Sequence, residues 1–352
     1  MTDVDIAVVG AGIIGCLVAR ELVSRSPALS IAVLDRDIAG CGASRRSAGL
    51  HLPRGATRRV RDMAAISQSY YENLLAGNPA LPIHPLAMSV LSSESGDRHI
   101  REVYLGHANL TCAQDAAENA PYAAARAWHG EGCHYTDVGA LVAALTRELR
   151  PRVRLREGCG VTSVEQTDAG VIVGLGTGGS LSAAALVLAP GPWLNSAAWR
   201  ALLAPLGARV KKIVALHIDR LPGARDRLIV FEDDDSFLLP MPHRGHWLFS
   251  YTCQDWDVDP DALRDGLSRR DLAEARDCLS QHAPRLADRV TGGRVFCDAY
   301  SASREPIVCA LGASGRIVFA GAANGSGYRL APAIAAETAE LLRIEPSRRI
   351  DP

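Results

Sequence analysis

Two groups of residues, near opposite ends of the chain, have types and spacings suited to chemistry. The first is Gly10-Ala11-Gly12-Ile13-Ile14-Gly15, followed by Asp35 and Arg36. In a GxGxxG turn the first glycine bends the chain and the second lets backbone approach a pyrophosphate. The third lets helix and strand pack closely. An acid at the end of the next strand accepts hydrogen bonds from a ribose diol, and the strand–turn–helix context makes the pattern specific. The second group is Gly325-Ser326-Gly327-Tyr328-Arg329-Leu330. Its arginine offers a planar, permanently charged fork to a carboxylate, or else simply pairs near a helix end.

These residues need elements to hold them. Residues 6–9, Ile-Ala-Val-Val, form a short apolar run suited to a buried parallel strand. Helical spacing follows over 16–23, then a second strand over 31–34, so the first glycine turn sits in one β-α-β unit. Helices are expected over 57–75, 137–149 and 261–282, and after the second glycine turn. Strand patterns mark 152–155, 161–164, GVIVGL and AALVLAPG, the last running into Gly191, Pro192 and Trp193. Between Arg209 and Tyr251 the texture becomes KKIVALHI, RLIVFE, SFLLPM and HWLFSY, an antiparallel alternation. The pattern weakens over 81–126.

The expected fold is α/β (α+β overall): a Rossmann-like domain interleaved with an antiparallel-sheet substrate domain. Residues 1–80, 135–205 and 298–352 are expected in the nucleotide-binding part, and 81–134 with 206–297 in the other. The 352 residues fit such a two-part build, and 48% hydrophobic with 22% charged residues is ordinary for a globular protein. A net charge of −1 points to neither nucleic acid nor a membrane surface as partner. The acidic run 232–235 reads as a solvated loop. Nine scattered cysteines without a CxxC pair suit a reducing compartment. No metal site, signal peptide or membrane span is expected, which together predict a cytoplasmic protein.

The glycine turn alone fits NAD and FAD equally. A nicotinamide dehydrogenase would continue with further βα units, whereas this chain inserts strands and returns to a second glycine turn. The blocks DIAVVGAGIIG, VLDRD, GCGASRRSAG, ALVLAPGPWLN, SREPIVCALG and IVFAGAANGSGYRLAPAIAAETAELL, in this order, resemble the D-amino-acid oxidase superfamily of FAD enzymes. The glycine oxidase and monomeric sarcosine oxidase branches are the most similar. The resemblance implies hydride transfer from a carbon bearing an amine to flavin N5, giving an imine that water hydrolyses. Either dioxygen or another acceptor then reoxidises the flavin. The implied substrate is a small carboxylate-bearing amine.

The resemblance also implies roles for particular residues. Arg329 would hold the substrate carboxylate. Ser44, Arg45, Arg46, Ser47 and Gly49 would lie along the flavin, Arg45 and Arg46 either on phosphate or facing water. Val161, Gly191, Trp193, Gly325, Gly327, Tyr328 and Leu330 would border the cofactor, while His51, Arg54 and Tyr251 are further active-site candidates. Cys297 stands where sarcosine oxidase-like enzymes attach the flavin covalently, although non-covalent FAD is favoured. The glycine oxidase branch has a carboxylate-binding arginine near the position of Asp298. The strand HWLFSY carries Leu248 where sarcosine oxidase-like enzymes place an oxygen-activating lysine. An amine, a 2-hydroxy acid, or simple dinucleotide binding without catalysis all remain open, as does oligomeric state.

Overall fold

The computed structural model describes residues 2–93, 97–113, 126–263 and 266–343. Strand β1 (Val4–Val9) is buried at every position except Asp5, as a strand covered on both faces must be. It pairs in parallel with β2 (Ile31–Leu34) on one side. Between them runs helix α1 (Ile13–Arg25). Three more elements follow: the short α2 (Ala43–Arg46) and β3 (Leu50–His51), then the long α3 (Arg58–Gly77). Thr57 starts α3 by accepting the Val60 N–H.

Next come β4 (Ile83–Ser92), β5 (Thr111–Ala113) and β6 (Arg126–Thr136). Asp137 caps α4 (Val138–Leu149) through the Ala140 N–H. Strands β7 (Arg154–Arg156), β8 (Val161–Gln166), β9 (Val171–Leu175) and β10 (Ser180–Leu188) bring the chain back beside β1. The strand-rich region contains β11 (Arg209–Ile218), β12 (Leu228–Phe231), β13 (Ser236–Met241) and β14 (His246–Tyr251). Then come α5 (Arg269–His282), β15 (Val290–Tyr300), β16 (Ile307–Leu311), β17 (Ile317–Gly321) and α6 (Gly327–Leu341).

These strands form two sheets. The first has the order β16-β17-β10-β1-β2-β7, parallel from β17 to β7, with β8 and β9 attached to the early part of β10. Helices α1, α3, α4 and α6 cover one of its faces with an apolar layer that includes Leu17, Met63, Leu141 and Ile334. The second sheet runs β15-β11-β14-β13-β12-β4-β6-β3 and is antiparallel except where β12 meets β4. Among the described residues, no helix is long and apolar enough to cross a membrane.

Three details differ from the sequence expectation. The helix expected over 261–282 begins only at Arg269, because Gly266 takes a positive φ of 82° and Ser268 forms a capping box with Asp271. Pro260–Leu263 is a separate 3-10 turn. The weakly patterned stretch 81–126 holds β4, whose alternation is blurred by a register shift between Leu86 and Met88, and the helix Asp97–Val103. Residues 94–96 and 114–125 lie outside the described residues. Finally, the divisions expected at 134/135 and 297/298 cut through β6 and β15, each of which runs unbroken in the second sheet.

Candidate active site

A cavity of about 1050 Å³ runs from the first glycine turn, across the ends of β1, β2 and β10, to the face of the second sheet. At its nucleotide end the glycines are required by contact. A Cβ on Gly10 would lie 2.2 Å from the Ala189 carbonyl oxygen, and one on Gly15 only 1.8 Å from that of Gly10. Gly15 therefore packs helix on strand and is not on the cavity wall, whereas Gly10, Gly12, Ile13 and Ile14 are. Ser44 in α2 accepts the Ile13 N–H at 2.9 Å. Ile14, one residue further into α1, has no carbonyl of its own helix to reach, so this end of the helix presents donors to an anion.

Asp35 follows β2. Its carboxylate accepts the N–H groups of Ala11 (2.7 Å) and Asp37 (2.9 Å), while burial raises its pKa against those bonds. Arg36 stacks 4.2 Å over Trp193, and both side chains bond to Asp261. This bridge ties the end of β2 to the loop after β14. Val161, Gly191, Trp193, Ser44, Ser47 and Gly49 also line the cavity.

The second glycine turn forms the opposite wall. Ala322 and Asn324 both have positive φ (49° and 54°), as does Gly325 (74°), so the turn is held in a conformation non-glycine residues avoid. Asn324 over-determines it. Its amide accepts the Ser301 N–H and donates to Ala322 O, and its backbone N–H bonds to Ala299 O. In α6, Pro332 lacks the N–H that would bond the Tyr328 carbonyl four residues back. The Tyr71 hydroxyl of α3 donates to that carbonyl instead, at 2.6 Å. The Tyr328 hydroxyl meets Thr136 at 2.5 Å and His134 at 2.9 Å. The first turn of α6, which carries Arg329, is thus clamped by α3 and β6.

Arg329 lines the cavity and donates to the Arg54 carbonyl (3.1 Å) and the Ser326 hydroxyl (2.8 Å). Among the described residues, no carboxylate forms an ion pair with it, and burial beside Arg54 pulls its guanidinium down to about 10. Arg54 is different. Its two terminal nitrogens meet both oxygens of Glu232, at 3.0 and 2.7 Å. Tyr104 and His99 approach the same carboxylate. Burial raises the Glu232 pKa even so. Glu232 corrects the solvated reading of the run 232–235: only Asp233, Asp234 and Asp235 are exposed, and Glu232 turns inward.

Several other expected residues lie elsewhere. His51 is fully buried behind the wall, stacked on His134 at 4.7 Å, and burial keeps it neutral. Arg45 and Arg46 are exposed on α2. Cys297 does not border the cavity: its side chain belongs to the core with Val210 and Ala299, and burial pushes its thiol up to about 12. Tyr251 does line the cavity, with a buried hydroxyl that has no partner among the described residues. Lys211, Trp256, Asp298 and Tyr300 line it too, although the sequence reading gave none of them a role. The signal for those on strands was alternation: Phe296, Asp298 and Tyr300, like Lys211 and Ile213, sit two apart.

Fold and cavity together define a dinucleotide-dependent enzyme built on two sheets. The chain belongs to the FAD dependent oxidoreductase family (DAO), whose model matches residues 5–341. It is an FAD-dependent oxidoreductase. Glycine oxidase from Geobacillus kaustophilus superposes with a TM-score of 0.78 at 17% identity, over 99% of this chain and 96% of that one. NikD, an unusual amino acid oxidase essential for nikkomycin biosynthesis, gives 0.78 at 17%, over 99% and 98%. The L-α-glycerophosphate oxidase of Mycoplasma pneumoniae gives 0.79 at 15%, over 99% and 97%. Comparison with curated protein sequences finds no match.

Proposed function

We propose that this protein oxidises the C–N bond of glycine, an N-substituted glycine or a related small amino acid, holding the substrate carboxylate on Arg329. The contrast between the two cavity arginines carries this reading. Arg54 is already neutralised by a bidentate carboxylate, whereas Arg329 is partly buried, charged and, among the described residues, without an anion. A cation of that kind is costly unless an anion joins it, and a planar fork matches a carboxylate.

The cavity fits the family's cofactor, since Gly10, Gly12, Ile13 and Ile14 form its wall where the first turn of α1 presents backbone donors. Gly10, Gly12, Ile13 and Ile14 would hold the pyrophosphate, and Asp35 the ribose. Ser44, Ser47, Gly49, Val161, Gly191, Trp193 and the turn Gly325, Gly327, Tyr328, Leu330 would border the rest. FAD, when bound, supplies the acceptor for a hydride leaving the substrate α-carbon. The protein's part is to fix the carboxylate so that this C–H bond points one way, and to keep bulk water from the reacting carbon. The resulting imine hydrolyses to a 2-oxo acid and an amine.

A peroxide-coupled screen over glycine, N-alkylglycines, D- and L-amino acids and 2-hydroxy acids, repeated with an artificial electron acceptor, tests the reading. Turnover of amino acids is expected with one or both acceptors. Turnover confined to 2-hydroxy acids would sink it.

A further inference from the structure

Asp298 is an acid that the fold does not use. On β15 the side chains of Phe296, Asp298 and Tyr300 face the cavity, while Cys297 and Ala299 face the core. The register sets Asp298 directly opposite Lys211 of β11, which also lines the cavity. The two charges nevertheless do not pair. The Lys211 ammonium lies over the rings of Trp256 (4.7 Å) and Tyr300 (5.5 Å), a cation–π arrangement that takes it away from the carboxylate. Among the described residues, no donor bonds to the Asp298 carboxyl, and its pKa is raised to about 7 by burial alone. Lys211 faces it from β11, and Cys297 and Tyr300 adjoin it on its own strand; beyond them, Asp235 acts on Tyr300 and Lys211, and Asp259, Lys212 and Arg46 act on Cys297.

The strand carrying Asp298 is fastened to the turn carrying Arg329. Tyr300 bridges to Ala323, and the Asn324 N–H bonds to Ala299 O. One wall therefore offers a cation and, on the sheet beside it, an unpartnered acid. An amino acid brings the matching pair, a carboxylate and an ammonium. Its ammonium has no lone pair to stabilise the carbon as hydride departs, so a proton must leave first.

We propose that Asp298 is the general base that accepts the proton of the substrate ammonium, leaving a neutral amine whose α-carbon then gives its hydride to FAD. The proposal rests on the amine reading above. In the step, one N–H bond breaks, its electron pair stays on nitrogen, and one O–H bond forms on the carboxylate. The hydride transfer that follows reduces the FAD of the holoenzyme. A base whose proton affinity lies near the working pH is the most effective for such a transfer.

The test is Asp298→Asn in the FAD-loaded protein. In the unaltered enzyme kcat/KM for a substrate amino acid should rise through an ionisation near 7. In Asp298→Asn that rise should move to the pKa of the substrate's own ammonium, with a loss of about 100-fold at pH 7, and Asp298→Glu should restore a rise below it. Equilibrium binding gives a readout without turnover. Affinity for N,N,N-trimethylglycine, a fixed cation with a carboxylate, should increase about tenfold as pH passes 7, while affinity for acetate does not. An unchanged pH profile in Asp298→Asn, with amino acids still turned over, would overturn the role of Asp298 alone. Turnover of 2-hydroxy acids only would overturn both readings. If Asp298→Asn fails to load FAD, the trimethylglycine titration of the unaltered protein decides, and a flat titration overturns the proposal.

Discussion

Arg54 and Arg329 show how one residue type serves two purposes a few ångströms apart. Arg54 is satisfied by Glu232 and ties the β12–β13 turn to the cavity wall, while the Arg329 fork meets only the Arg54 carbonyl and the Ser326 hydroxyl among the described residues. Arg329→Ala should raise KM for a carboxylate substrate about 10- to 100-fold, the loss expected for a charge-assisted hydrogen-bond pair. Steady-state kinetics with FAD content held constant checks this. At Cys297 the expectation is negative: with the thiol packed in the core, acid precipitation should release all of the yellow colour into the supernatant. Colour retained in the pellet would mean that the flavin is covalently attached. That the two glycine turns, Asp35 and Arg329 border one cavity was legible in the sequence, because glycine turns and strand ends follow local steric rules. Glu232, Lys211 and Asp298 were not. Which face of a strand a charge occupies becomes meaningful only once the neighbouring strands and the cavity are known.

At the scale of elements, the decisive join is between α3 and α6. Pro332 leaves the Tyr328 carbonyl without its helical partner, and Tyr71 supplies one from 257 residues away in sequence but in direct contact in space. Tyr71→Phe should therefore cost about 1–3 kcal/mol, the penalty for a buried acceptor left unpaired. In a Pro332→Ala background the same change should cost less, since the helix then provides the missing N–H. Chemical denaturation of the four proteins in this cycle measures the coupling. Helices α3 and α4 were readable from periodicity and caps. The start of α5 was not, because Gly266 and the Ser268 capping box override an apolar spacing that continues past them.

At the scale of the molecule, the cavity is lined from both sheets, so a ligand filling it touches both. Adding FAD to apoprotein should raise Tm with concentration. At 100 times Kd the gain in stability is about 2.7 kcal/mol, and differential scanning fluorimetry across an FAD series reads it. A Tm independent of FAD would mean that the folded apoprotein does not bind the cofactor. The interleaving was visible in the sequence as nucleotide-type segments on either side of a strand-rich region. The exact points of crossing were not, since β6 and β15 pass through the expected divisions without a break in pattern.

The packing of α6 against α1, with β17 in the first sheet beside β10, bears on the order in which the protein is made. The first glycine turn leaves the ribosome hundreds of residues before the second. Until residues 317–341 emerge, β10 has an open edge and α1 an uncovered apolar flank. The first sheet and its helical cover are therefore completed only by the last segment to be synthesised.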